Sequence, residues 1–221
     1  MNVLVIGASR GIGLEFVRQY RADGAAVVAT ARDEAGLARL QALGARALRL
    51  DVCDAASVAG LAWQIDGEAF DVAIVNAGVI GSRTTGLQSP EQDEFDRVMR
   101  TNVLGPMRVL PLLGDTLAPA ARLAVLSSRM GSIGERAAAG SWLYRASKAA
   151  VNSVLKDASL VLAGRATCIA FHPGWVRTDM GGPSADLDVA DSVAGMRRVL
   201  AGVSPADTGR FFNFDGSPIA W

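Results

Sequence analysis

The chain lacks the features that mark several common classes of protein. It has no excess of either charge: 22 lysines and arginines balance 22 aspartates and glutamates over 221 residues. That balance gives no reason to expect nucleic acid or an anionic membrane as a partner. No apolar run is long enough to span a bilayer. The first residues, MNVLVIGASRG, run into a strand-like stretch without a charged leader, a long apolar segment or a processing site. The expectation is a soluble, cytoplasmic protein. Cysteine is scarce. Cys53 and Cys168 both lie in apolar, strand-like settings and read as buried free thiols in a reducing compartment, Cys168 as plain core. There is one histidine, His172. With no second ligand beside it, it reads as a hydrogen-bonded structural residue, and no metal is expected. Internal repeats, low-complexity tracts and linkers are also missing.

Half of the residues are hydrophobic, enough for a large core, and the length suits one α/β domain over residues 1–221. Short apolar and β-branched runs recur at Val3–Ile6, Ala25–Thr30, Ala47–Val52, Val72–Val75, Leu123–Leu126, Thr167–Phe171 and Phe211–Phe214. Most are continuous rather than alternating, as in strands buried on both faces of a parallel sheet. Helical spacing fills the gaps. Ile12, Phe16 and Tyr20 form one stripe, with Leu14 and Val17 beside it. Asp54 can cap a helix over Ala55–Gln64, Pro90 and Glu91 open a long segment to about Leu117, and Ser141–Leu162 is another long helix. The alternation predicts a doubly wound parallel sheet of about seven strands with helices on both faces. The Gly- and Pro-containing stretch Met180–Asp188 reads as a mobile loop, and a substrate loop is expected near 179–190.

After the first strand comes Gly7-Ala8-Ser9-Arg10-Gly11-Ile12-Gly13, opening a helix. Glycines let the backbone turn tightly and approach a pyrophosphate, and a helix N-terminus offers it N–H groups and a positive dipole end. The spacing is G-x-x-x-G-x-G rather than G-x-G-x-x-G, so the placement between strand and helix carries the argument. The second strand ends at Thr30-Ala31-Arg32-Asp33. An acidic residue there commonly binds a ribose 2′-hydroxyl, whereas an arginine suits a 2′-phosphate. Arg32, with Arg10 inside the turn, favours NADP(H) through charge-assisted bonds. The competing reading makes Arg32 a solvated charge and Asp33 the ribose ligand of NAD(H).

Tyr144 and Lys148 stand four apart on one face of the helix from Ser141. A phenol with an ordinary pKa of about 10 is sluggish near neutrality. A neighbouring ammonium lowers that value and lets the phenol exchange a proton with a carbonyl or alcohol. Alone, the pair would read as a helix surface contact. Other residues converge on it: Ser127-Ser128, Asn76-Ala77-Gly78 and Pro173-Gly174 close strands whose carboxyl ends share one sheet edge, where ligands bind in open parallel sheets.

GASRGIG at 7–13, NAG at 76–78, Asn102, SS at 127–128, YRASK at 144–148 and PGWVRTDM at 173–180, taken in order, resemble the motifs of the short-chain dehydrogenase/reductase family over essentially the whole chain. SSRMGSIG, YRASKAAVN, HPGWVRTDMGGP and FFNFDGSPIAW are similar to short members that include the C-factor signalling protein and sniffer-type carbonyl reductases. The resemblance implies roles. Tyr144 exchanges the proton, Lys148 lowers its pKa and binds the nicotinamide ribose, and Ser128 hydrogen-bonds the substrate oxygen. Asn102 holds a water that links Lys148 to a proton relay. Gly7, Ser9, Arg10, Gly11, Ile12, Gly13 and Arg32 serve the cofactor phosphates, and Asn76, Ala77 and Gly78 the adenosine-ribose side. Asp51 and Val52 meet the adenine; Pro173, Gly174, Val176 and Thr178 hold the nicotinamide half. Met130, Trp142, Trp175 and Met180 are candidates for the substrate pocket. The long helices resemble those of a family dimer interface, which implies a homodimer or homotetramer. Two positions depart from the pattern: Ile6 replaces the usual threonine before the first glycine, and Ser128 lies further from Tyr144 than is usual, with Ser127 and Ser132 as fallback serines. Trp221 reads as a packed anchor or an oligomer contact.

The expected function is an NADP(H)-dependent carbonyl reductase or alcohol dehydrogenase acting on a small molecule through a short lid. The alternative is an NADP(H)-binding signalling or regulatory protein with little turnover. A sugar-nucleotide epimerase is disfavoured, because little chain remains after the last expected strand.

Overall fold

Each of the seven apolar runs forms a strand in the computed structural model, which describes residues 1–221. They are β1 (Asn2–Ile6), β2 (Ala26–Ala31), β3 (Arg46–Arg49), β4 (Phe70–Val75), β5 (Leu117–Leu126), β6 (Ala166–His172) and β7 (Arg210–Asn213). All neighbours are parallel, in the order β3-β2-β1-β4-β5-β6-β7. Helices α1 (Gly11–Ala22), α2 (Glu34–Ala42), α3 (Ala55–Gln64), α4 (Gln92–Met99), α5 (Gly105–Leu113), α6 (Trp142–Val161) and α7 (Val189–Gly202) make the crossovers.

Alternate strand residues serve opposite faces, because successive side chains on a strand point opposite ways. Leu4 and Ile6 join α3, α5 and α6 residues such as Leu61, Leu113 and Leu155 in one core. Val3 and Val5 join α1, α2 and α7 residues such as Phe16, Leu40 and Met196 in the other. Each large side chain so buried contributes about 1.5–3 kcal/mol. The chain is thus one doubly wound α/β sheet. Its order reverses between β1 and β4, which opens a crevice at the carboxyl ends of the strands. No helix is long and apolar enough to cross a membrane.

Several boundaries differ from the sequence expectation. β3 stops at Arg49 rather than at Val52, because Asp51 turns the chain: its carboxylate accepts the Cys53 N–H at 2.9 Å, and Asp54 then caps α3 through the Ala56 N–H. The segment opened by Glu91 does not run as one helix to Leu117. α4 passes into a π-helical turn, Arg100–Leu104, then α5, which ends at Leu113; Leu117 already belongs to β5. α2 and α7 arise where the sequence reading places no helix, and α7 absorbs residues 189 and 190 of the expected substrate loop. Cys168 is buried, but Cys53 is only half-buried; both are free.

The chain ends against its own core. Trp221 stacks on Phe211 with ring centroids 5.4 Å apart. The N–H groups of Ile133 and Gly134 donate to the Trp221 carbonyl, the Ser132 hydroxyl donates to Ala220 at 2.6 Å, and the Ala220 N–H donates to Glu135. Trp221 is therefore an anchor for residues 132–135.

Candidate active site

The glycine turn is built for close approach. The Gly7 N–H donates to the Thr30 hydroxyl at 2.9 Å and the Ala8 N–H to the Thr30 carbonyl. A threonine on β2 thus supplies a hydroxyl beside the turn that Ile6 cannot. The Asn76 side-chain amide donates to the Gly7 carbonyl at 2.6 Å. Gly7 has φ +83°, and a Cβ on it would lie 2.7 Å from the Ala77 backbone. The N-terminus of α1 has no side-chain cap and no acidic residue in its first turn, so its free N–H groups and dipole suit an anion.

Beside the turn, Asp33 is committed: its carboxylate accepts the Gly36 N–H at 2.7 Å and caps α2. The side chain of Arg32 is exposed and has no carboxylate partner, while the Arg32 carbonyl is held by Arg49. Arg39 on α2 donates to the Ser9 carbonyl at 2.9 Å, a third guanidinium at this corner that the sequence reading missed. Arg10 forms an exposed ion pair with Asp179 at 3.0 Å. Asp51 stays at the rim, whereas Val52 is buried in the core against Gly105, where a Cβ would come within 2.9 Å.

The catalytic candidates meet beyond β5. Ser128 accepts the Met130 N–H at 3.2 Å and caps the short turn Arg129–Gly131, and its hydroxyl stands beside the Tyr144 side chain, where it favours the phenolate. Ser127 directs its hydroxyl at the Lys148 carbonyl, and Ser132 is fully buried and tied to Ala220. Neither fallback serine competes with Ser128. Lys148 is buried and donates to the Leu126 carbonyl at 2.8 Å, with its ammonium 5.8 Å from the Tyr144 ring centroid. Burial pushes the Tyr144 phenol up to about 12, opposed by the Ser128 hydroxyl, and brings Lys148 down to about 8. Desolvation dominates the phenol, and the expected lowering by the Lys148 ammonium is not among the influences on it.

Asn102 sits on the π-helical turn, a distortion frequent at functional sites. Its side chain is fully used: Oδ1 accepts the Val79 N–H at 2.8 Å, and Nδ2 donates to the Val79 carbonyl and the Ser147 hydroxyl. Its main-chain carbonyl is another matter. Pro106, four residues on, has no N–H to give it. Gly78 lies against this group: a Cβ there would be 3.4 Å from Asn102 Oδ1 and 3.5 Å from Lys148 Nζ.

A cleft of about 580 Å³ collects Ile12, Ser128, Met130, Tyr144, Trp175 and Met180, with Pro173, Gly174, Val176 and Thr178 on its floor. Trp142 is not among its walls. Its indole donates to the Gln88 carbonyl, and it faces a second groove with Pro90 and Phe95, because it opens α6 on the side away from Tyr144. The 173–188 segment is strapped rather than loose: Val176 bridges Leu187, and the Trp175 indole donates to the Gly181 carbonyl at 2.9 Å. His172 lines the cleft with Nδ1 buried and unpartnered. Burial, with Arg129 helping and Glu135 opposing, holds its pKa down at about 4.

The family model for the short chain dehydrogenases matches residues 1–187. The C-signal protein of Myxococcus xanthus is 41% identical over 154 residues, covering 68% of this chain and 92% of that protein. A short-chain dehydrogenase/reductase from Burkholderia multivorans, solved with bound NADP, superposes with a TM-score of 0.90 at 32% identity over 100% of this chain and 99% of that one. The carbonyl reductase Sniffer of D. melanogaster does so with a TM-score of 0.89 at 29% identity over 100% and 99%. The chain belongs to the short-chain dehydrogenase family of oxidoreductases.

Proposed function

We propose that the protein is an NADP(H)-dependent carbonyl reductase or alcohol dehydrogenase, with residues 1–221 as one cofactor-binding unit and residues 179–188 as its substrate loop. The observation that carries this is the buried Ser128–Tyr144 pair opening onto the cleft, with Lys148 and the Asn102 turn behind it. Protein that only bound a nucleotide would have no need of a buried acid–base tyrosine.

The residues fit NADP(H). Gly7 and Gly13 leave room that a Cβ would fill, the bare N-terminus of α1 suits the diphosphate, and Asp33 is occupied as a helix cap. Arg10, Arg32 and Arg39 therefore face any 2′-phosphate without a competing carboxylate on β2. When bound, the cofactor supplies a hydride, two electrons and a proton nucleus, to the carbonyl carbon. Ser128 hydrogen-bonds the carbonyl oxygen, and Tyr144 Oη delivers the proton that turns that oxygen into the alcohol. Lys148, close enough to neutrality to exchange a proton, re-supplies the phenol through water held at the Asn102 carbonyl.

The test titrates purified protein with NADPH and separately with NADH by nicotinamide fluorescence, then offers aldehydes, ketones and quinones to wild type and Tyr144→Phe. NADPH binds the more tightly, and the variant keeps that binding while losing at least about 100-fold in kcat. A preference for NADH would refute the arginine assignment, and full turnover in the variant would remove Tyr144 from the chemistry. The similarity to C-signal supports a second reading, a sensor of NADP(H). Binding without turnover of any carbonyl, and biological activity that survives Tyr144→Phe, would select it.

A further inference from the structure

The total charge of the chain is zero, but the cleft is not neutral. Arg83, Arg129, Arg136 and Arg145 line it, against a single carboxylate, Glu135. That carboxylate lies 3.6 Å from Arg129 and neutralises only that one. Arg83 and Arg145 spend a donor each on main-chain carbonyls, Met180 at 3.2 Å and Gly140 at 2.8 Å. These bonds orient the guanidinium groups without cancelling their charge. Arg136 is exposed, and no ion pair forms to Arg83, Arg136 or Arg145, while nine ion pairs form outside the cleft. The four arginines come from the connections after β4 and β5 and from α6, not from the glycine turn and β2 where the cofactor phosphates belong. Between them and the floor the lining is apolar: Ile80, Met130, Ala137, Ala138, Trp175 and Met180.

We infer that the substrate is an anionic carbonyl or alcohol: an apolar body that lies on this floor with its reacting carbon at Tyr144, and a carboxylate or phosphate that the Arg83–Arg136–Arg145 rim engages. The inference rests on the reductase reading for the reaction but not for the binding. Guanidinium groups pair with both oxyanions in two-point fashion, and a cleft of one sign concentrates the opposite charge.

Two measurements separate the inference from the reading beneath it. In the first, NADPH-dependent reduction of 4-carboxybenzaldehyde is compared with that of its neutral methyl ester and of a phosphate-bearing benzaldehyde. Wild type favours the anions by about tenfold in kcat/KM. In Arg83→Gln/Arg136→Gln the acid-to-ester ratio falls toward one, and in Arg136→Glu it falls below one. High salt shrinks the wild-type ratio, because the rim is exposed. The larger ratio, carboxylate or phosphate, identifies the natural head group. In the second, calorimetry of terephthalate and of its dimethyl ester with the NADPH-loaded protein reads anion recognition without turnover. Binding of terephthalate that weakens about tenfold in the double variant supports the inference even where no aldehyde is reduced, an outcome that would instead sink the reductase reading. Equal or better use of the neutral ester, or variants that alter acid and ester alike, would overturn the inference and leave the reductase reading standing.

Discussion

Gly13 has no room for a methyl group, since a Cβ built there would lie 2.3 Å from the Gly7 carbonyl oxygen. Gly13→Ala is expected to cost about 1–3 kcal/mol in urea unfolding through overpacking and to weaken NADPH binding by displacing the turn. In the middle of the same turn, Asp179 holds Arg10 in an exposed pair worth little to stability. Asp179→Asn should leave the melting temperature nearly unchanged yet raise NADPH affinity a few-fold and NADH affinity not at all; equal gains for both would show that Arg10 does not meet a 2′-phosphate. Single residues were the most legible part of the site. The turn, Tyr144 and Lys148 announce themselves by order and spacing, and Ser128 by order alone. Trp142 misled because spacing says nothing about which side of a helix start faces the cleft. One usable signal went unread: lysine occurs twice in the chain, at 148 and 156, where arginine is otherwise used. A buried site that must give up its proton near neutrality can use lysine and cannot use arginine.

α2 shows how an element can escape sequence reading. It buries only Gly36 and Leu40, too little to imprint a clear stripe, and depends on its cap. Asp33→Ala should cost about 1 kcal/mol in thermal unfolding, whereas Asp33→Asn, which keeps the acceptor, should cost far less. The α4–α5 segment shows the opposite error, where continuous helical spacing concealed a break. Pro106 withholds the N–H that would pair with the Asn102 carbonyl, and the chain answers with a π-helical turn. Pro106→Ala returns that donor. The expected result is a fold at least as stable, with NADPH binding retained and kcat reduced, read by steady-state kinetics beside circular dichroism. An unchanged kcat would separate the turn from catalysis. The central strands were legible because strands buried on both faces are apolar at nearly every position; the start of β5 was not, since Leu117–Ala120 is half exposed and lies beyond a helix end at Gly114.

At the scale of the molecule, the sheet sets where chemistry can occur, and its crevice controls a pH response. His172 at the end of β6 has its pKa held at about 4, against an ordinary 6.5, chiefly by burial. It is neutral in the fold. The unfolded chain binds its proton first as pH falls, so the contribution of this residue is fully present above pH 6.5 and is lost as pH falls toward 4. The loss is at most about 3 kcal/mol. Comparing urea midpoints of wild type and His172→Gln at pH 7 and pH 4.5 isolates it: the two proteins should differ less at the lower pH, and parallel curves would show that His172 is not held neutral. The fold class and the sheet edge that holds the site followed from the alternation of runs, but the charge of the cleft did not, because its arginines come from separate connections and only the folded chain sums them. The wall that carries Arg129 and Arg136 is moored at Ser132–Glu135 to Ala220 and Trp221, a handful of hydrogen bonds between loop and chain end that lie outside the seven parallel strands. Such a mooring opens with less free energy than the sheet. Heating should therefore silence the enzyme before it unfolds, with activity decaying at temperatures where far-ultraviolet circular dichroism still records every strand.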